Sequence, residues 1–290
     1  MDIGVATVRD GNNSGTRTVM PIVPSLRIES LPLSGKVAIV TGSSRGIGRA
    51  IAERLAADGA AVVVNYVRGE QAAQAAVTAI RRLFDEARSA FGAPDIVVAN
   101  AGVAVIKPIA ENTEQEFDFV FGANAKGVFF TLQQAARQVR DGGRIVVVPT
   151  GGTRMLMSGT ALYLGSKGAV EQFVRVLSRE LGPRNITVNA LSPGFTNTDL
   201  LPDRDRKIAA EMSPFARIGE PAEVASVAAF LASDDARWVT GQNVGAGGGV
   251  FWPGHVEYPA RHRTIGEYSH ASGLVVRADF CVRSRSGCTP

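Results

Sequence analysis

The chain has 290 residues, 45% of them hydrophobic and 20% charged, enough for one large buried core and the composition of a soluble globular protein. No apolar run approaches the roughly 18 residues of a membrane span, and the leading residues lack a charged-then-apolar secretory pattern, so no membrane partner is expected and the cytoplasm is the default location. Of the net charge of +4, Trp252 to Pro290 holds +2 (five Arg against three acids); no dense basic block remains to attract nucleic acid, and the two cysteines, Cys281 and Cys288, leave the body without a disulfide framework or a zinc site.

Residues 1–34 mix Gly, Asn, Ser, Thr and Pro without periodicity, and Pro21, Pro24 and Pro32 interrupt any element, which predicts a poorly ordered arm. The apolar run Val37 to Val40 then enters the turn Thr41-Gly42-Ser43-Ser44-Arg45-Gly46-Ile47-Gly48, after which Ile47, Ile51 and Leu55 recur at helical spacing. Strand, glycine turn and helix in this order let backbone N–H groups approach a diphosphate at a helix N-terminus. Ala61 to Asn65 reads as a second buried strand, so a parallel βαβ unit is predicted.

From Glu70 to Phe91 there is neither Gly nor Pro, and apolar residues fall on one helical stripe; a helix that long must overhang the sheet or break near Arg81. Further strands are expected at Asp95 to Ala99, Arg144 to Val148, Ile186 to Leu191 and Gln242 to Ala246. Helices are expected over Thr113 to Val139, capped by Asn112 or Thr113, over Tyr163 to Leu181, and from Pro221. Pro193 to Arg217 reads as a loop. The alternation defines an α/β domain over residues 35–250, a Rossmann-type doubly wound parallel sheet, probed at the carboxyl ends of its strands by ligands. Residues 251–290, poor in aliphatic side chains, are expected to be a disordered tail.

Tyr163 and Lys167, four apart, project from one face of a helix that follows a parallel strand. A nearby ammonium stabilises tyrosinate, so Lys167 is expected to lower the Tyr163 pKa from about 10 and suit the phenol to general acid work on a carbonyl oxygen.

With these motifs in place the chain resembles the short-chain dehydrogenase/reductase superfamily, nearest to its 3-oxoacyl-carrier-protein-reductase-like members, over roughly Leu33 to Val250. The resemblance rests on Thr41-Gly-x-x-x-Gly-Ile-Gly48, Asn100-Ala101-Gly102, Asn124, Tyr163-x-x-x-Lys167, Asn189, and Pro193-Gly194 with Thr196 and Thr198. It implies Tyr163 as proton donor or acceptor, Lys167 also on the nicotinamide ribose, and Asn124 ordering a water relay. It implies a dinucleotide over Gly42, Ser44, Arg45, Gly46, Ile47 and Gly48, with further contacts from Asn100, Ala101, Gly102, Pro193 and Gly194; Thr196 and Thr198 would meet its carboxamide and phosphate side. A homotetramer or dimer through helices 113–139 and 163–181 is implied as well.

Two departures stand out. The family serine thirteen residues before the tyrosine is Thr150, whose hydroxyl can still donate to a substrate carbonyl. Only 28 residues separate Tyr66 from Asp95, where the family fits a helix, a third strand and another helix; six strands are therefore expected, with one wall of the adenine pocket open. A non-catalytic homologue with impaired cofactor binding is the alternative this raises. Asn65 ends the second strand where an acid would bind the ribose 2′-hydroxyl of NAD, and Arg45 and Arg68 flank it, which favours NADP(H), with NAD(H) admitted as a second cofactor. Met155, Leu156, Met157, Met212 and Phe215 are candidates to line an apolar pocket for a small carbonyl or alcohol substrate.

Overall fold

Short apolar runs become strands here because each is covered on both faces. In the computed structural model, which describes residues 4–5, 16–18, 22–23, 31–67, 72–155 and 157–250, all of the unit Met1–Pro253, the strands are β1 (Gly4–Val5), β2 (Thr16–Thr18), β3 (Ile22–Val23), β4 (Val37–Thr41), β5 (Ala61–Val67), β6 (Ile96–Ala99), β7 (Arg144–Val147), β8 (Thr187–Pro193) and β9 (Asn243–Ala246). The helices are α1 (Gly46–Ala57), α2 (Ala72–Phe91), α3 (Glu114–Phe121), α4 (Val128–Gln138), α5 (Ala161–Leu181), α6 (Asp203–Glu211) and α7 (Pro221–Ala232). No helix among the described residues is long and apolar enough to cross a membrane.

Every residue of β4, β6, β7 and β8 is buried. Ile51 and Leu55 of α1 pack with Val224, Ala228 and Leu231 of α7 on one face of the sheet. Leu83 and Phe84 of α2, Leu132 of α4 and Val170 and Val174 of α5 cover the other. Burial of each such large side chain contributes about 1.5–3 kcal/mol, which is why the apolar stripes decide which side of a helix faces in.

Six strands run parallel in the order β5-β4-β6-β7-β8-β9, and α2 leads from β5 to β6 with no strand between them among the described residues, in keeping with the six expected without the family's third strand. The 20 residues of α2 continue unbroken past Arg81. The leading segment departs from the expectation of a poorly ordered arm wherever it is described. Thr16, Arg17 and Thr18 pair antiparallel with Val67, Tyr66 and Asn65, Ile22 pairs with Val62, and β1 pairs with β3. Without a third parallel strand β5 presents an open row of N–H and C=O groups, and the leading strands take it up. The expected tail lies outside the described residues.

Several boundaries differ from expectation, β5 running on to Val67 and β8 to Pro193 among them. The single helix predicted over Thr113 to Val139 is α3 and α4 joined through a π-helical turn at Gly122–Gly127. Thr113 is its N-cap, in a reciprocal capping box with Glu116. The segment expected as a loop to Arg217 contains α6, whose Asp203 and Asp205 stand in the first turn where the helix dipole favours acids. Helix α5 begins at Ala161, two residues ahead of Tyr163.

Candidate active site

The glycine turn is held by side chains on either side of it. Asn100 Nδ2 donates to the carbonyls of Thr41 (3.0 Å) and Gly42 (3.2 Å), while Thr41 Oγ1 accepts from the N–H groups of Asn100 and Ala101. Ser43 Oγ donates to Val40 O at 2.7 Å and accepts from Asn65 N at 3.1 Å, tying the turn to the end of β5. A Cβ on Gly48 would stand 2.3 Å from both Asn100 Nδ2 and Gly42 O, and Gly46 has φ +54°, so both positions require glycine. No side chain caps α1 and its first turn carries no acid, which leaves its leading N–H groups free for an anion. These features fit a dinucleotide diphosphate.

Around this cradle the expected cofactor residues sort by role. Asn100 and Ala101 brace the turn; Ile47 packs its side chain into the core and offers backbone alone; Ser44 and Arg45 are exposed. Thr198 comes over the turn, its methyl 3.4 Å from where a Gly46 Cβ would stand, and Arg45 Nη1 lies 3.5 Å from Asp199 Oδ2 with both side chains exposed. Pro193 ends β8, and Gly194 fits so closely that a Cβ there would be 2.6 Å from Gly247 Cα. Thr196 is buried and donates its hydroxyl to Gly194 O at 3.0 Å. Asn65 is buried but does not end its strand as expected, since β5 runs on through Tyr66 and Val67; Arg68 and Leu156 lie outside the described residues.

Helix α5 brings Tyr163 and Lys167 to one face. Lys167, 4% exposed, donates from Nζ to Val148 O at 3.1 Å, and burial pulls its amine down to about 8. Tyr163 is half-buried; burial pushes its phenol up, while a hydrogen bond with the Thr150 hydroxyl works in the other direction. The phenol is thus raised and not lowered as expected: burial is the largest cause, the lysine is not among the causes, and its ammonium is turned to the Val148 carbonyl. A phenol that keeps its proton is suited to donating it.

Gly102 lies close against Lys167 and Asn124, since a Cβ would be 2.9 Å from Lys167 Nζ and 3.2 Å from Asn124 Oδ1. Asn124 is fully buried in the π-helical turn. Its Nδ2 donates to Val103 O and Ser166 Oγ, both at 2.9 Å, and its Oδ1 accepts from Val103 N at 2.8 Å. Both amide protons are thus taken up in bracing the loop after β6 against α5. Ser166, which donates on to Tyr163 O at 2.7 Å, is a residue the motifs did not single out, although its position three after Tyr163 carried the signal; Ser43 and Asp199 carried none.

The glycine turn after β4 and the tyrosine–lysine pair on α5 after β7 both stand toward the carboxyl ends of the parallel strands, where a doubly wound sheet takes its ligands. The family model described as enoyl-(acyl carrier protein) reductase matches residues 42–251. A short chain dehydrogenase/reductase of Cryptosporiopsis sp., dmxR18, is 40% identical over 254 residues, 75% of this chain and 96% of that protein. The versicolorin reductase stcU of Emericella nidulans is 39% identical over 257 residues, covering 76% and 97%. Among solved structures, the angucycline C-6 ketoreductase LanV with bound NADP superposes with a TM-score of 0.68 at 38% identity (76% and 97% covered). A short chain dehydrogenase of Burkholderia cenocepacia J2315 in complex with NADP gives 0.71 at 35% (76% and 99%). The chain belongs to the short-chain dehydrogenase/reductase family.

Proposed function

We propose that the protein is an NADP(H)-dependent carbonyl reductase or alcohol dehydrogenase in which Tyr163 transfers the proton. The observation that carries this reading is the placing of Tyr163 and buried Lys167 on one face of α5, with Lys167 Nζ donating to Val148 O at 3.1 Å beside the turn that Thr150 caps. A bound nicotinamide would supply or accept the hydride. Thr150 orients the substrate carbonyl, the Tyr163 phenol donates its proton to the oxygen as charge develops there, and Lys167 holds the cofactor ribose and stabilises the phenolate left behind. Asn124 and Ser166 keep α5 and the loop after β6 at fixed separation.

Arg45, with Asn65 in place of an acid, supports a preference for the 2′-phosphate; NAD(H) would bind more weakly through the shared diphosphate. Ile106, Met157, Leu200 and Phe215 are exposed on segments that follow the carboxyl ends of β6, β7 and β8, and support an apolar carbonyl substrate. The relatives named for versicolorin and for an angucycline agree with that class. Phe117, Phe129 and Val176, exposed on α3, α4 and α5, support a homodimer or homotetramer through those helices in the cytoplasm.

The alternative, a non-catalytic homologue, is favoured by the missing third strand, which removes part of the adenine wall. Titrating NADPH into the protein while following nicotinamide fluorescence separates the two. Saturable enhancement, with NADPH oxidation in the presence of 9,10-phenanthrenequinone that Tyr163→Phe lowers about 100-fold or more, supports the enzyme. Absence of any binding would leave the homologue reading standing.

A further inference from the structure

Thr150 is followed by Gly151 and Gly152, two residues with little conformational preference of their own, so something must fix the turn that carries its hydroxyl. The turn is a single 3-10 turn, Gly151–Arg154, and Thr150 caps it by accepting from Gly152 N at 3.2 Å. Its last hydroxyl, Thr153 Oγ1, lies 3.1 Å from Thr150 O and 2.5 Å from Glu171 Oε1. Both partners are acceptors, so the one hydroxyl proton is divided between the carbonyl of Thr150 and the carboxylate of Glu171.

Glu171 stands four residues beyond Lys167 and eight beyond Tyr163, on the same stripe of α5. The turn is also pressed against that helix, since a Cβ on Gly152 would be 2.9 Å from Leu164 Cδ2. Behind Glu171 is a cavity of about 260 Å³, also lined by Arg154, Arg175 and Asn243, so the carboxylate is not sealed in the core. Arg154 is engaged there with Asn243 O at 2.8 Å.

We propose that Thr153 and Glu171 are positioning residues that clamp the Thr150 turn onto α5 and so fix where the Thr150 hydroxyl stands relative to the helix that carries Tyr163. This rests on the assignment of Thr150 and Tyr163 to the proton-transfer site, and it adds two residues that touch neither substrate nor cofactor. A carboxylate accepting from a hydroxyl is a charge-assisted hydrogen bond, the stronger kind, and suits a tie that has to hold a two-glycine turn.

The test is free of any choice of substrate. The full chain, labelled with 13Cζ-tyrosine, gives a Tyr163 resonance assigned by its loss in Tyr163→Phe, and its position at neutral pH reports the hydrogen bond at the phenol. Thr153→Val is expected to move that resonance in the direction and by most of the amount that Thr150→Val does, and to add nothing in the Thr150→Val background. Thr153→Ser, which keeps the hydroxyl, is expected to return it to the wild-type position. Glu171→Leu is the second variant, chosen because it removes the acceptor without touching the turn, and it is expected to act as Thr153→Val does. A Thr153→Val or Glu171→Leu resonance at the wild-type position, or a displacement of full size in the Thr150→Val background, would overturn the clamp. Failure of NADPH to bind or turn over would instead strike the functional assignment, and leaves the resonance measurement as it is.

Discussion

The ammonium of Lys167 is satisfied by the carbonyl of Val148, 3.1 Å away and one residue past the end of β7, and among the described residues by no carboxylate. A buried amine with one neutral acceptor pays a desolvation cost for its charge, hence its fall to about 8. The folded pKa lies below the unfolded one, so the penalty is fully present below pH 8 and lifts as pH rises toward about 10.5. Lys167→Met is therefore expected to raise the Tm of the cofactor-free protein at pH 7, by the equivalent of up to about 3 kcal/mol less the lost hydrogen bond. The advantage should shrink as pH rises toward 10. Thermal melts of both proteins from pH 6 to 10 check this; a gap that widens with pH would contradict it.

Arg45 is shared between two uses, because the loop after β8 sets Asp199 beside it. The pair is exposed and such pairs are worth about 0.2–1 kcal/mol, whereas a guanidinium on a 2′-phosphate contributes about 1.5–3 kcal/mol. Arg45→Ala should weaken NADPH binding roughly tenfold or more and leave NADH unchanged. Asp199→Asn should tighten NADPH about two- to threefold by freeing the guanidinium. Fluorescence titration with both cofactors measures the ratio, and equal effects on NADPH and NADH would remove Arg45 from 2′-phosphate recognition.

Gly48→Ala tests the cradle. The added methyl meets Asn100 Nδ2 and the Gly42 carbonyl at 2.3 Å, and neither is the loose end of a flexible chain, since Asn100 already holds the turn through two bonds. Overpacking of this kind costs about 1–3 kcal/mol. A drop of several degrees in Tm together with a loss of NADPH affinity is expected. Normal affinity would mean that the turn does not carry the diphosphate.

Removal of residues 1–30 bears on the edge of the sheet. It strips the antiparallel partners from Asn65, Tyr66, Val67 and Val62 and bares the hydrogen-bonding row of β5. The truncated protein should associate more strongly than the full chain as concentration rises, as followed by light scattering, and melt earlier. Identical scattering and melting for the two proteins would show that the leading strands protect nothing.

What could be read from the residues follows locality. The unit β4–turn–α1 is legible because an apolar run, glycine spacing and a helical stripe lie within two dozen residues, and Tyr163 with Lys167 because four-residue spacing fixes a common face. The charged helix α6 was hidden by its Pro202 and by having little apolar stripe; only Asp203 and Asp205 in its first turn marked it. The pairing of Thr18 with Asn65 joins segments that share no pattern, and nothing in either predicts the other. The sign of the Tyr163 shift depends on burial, a tertiary quantity, and on where the Lys167 ammonium turns, neither of which a four-residue spacing specifies. Asn124 was found by motif, yet its use as a brace depends on Val103 and Ser166 meeting it in space.

The strands that close the β5 edge, β2 and β3, precede β4 in the chain, so during synthesis they emerge before residues 61–67, their partners on that edge. The parallel pair of β4 and β5 can form as soon as α1 has crossed over, whereas the antiparallel additions must return over the whole of that unit. Residues made before the parallel unit are thus paired to it after the unit itself has formed, and the open edge of β5 is a transient of biosynthesis that a chaperone would meet on the growing chain.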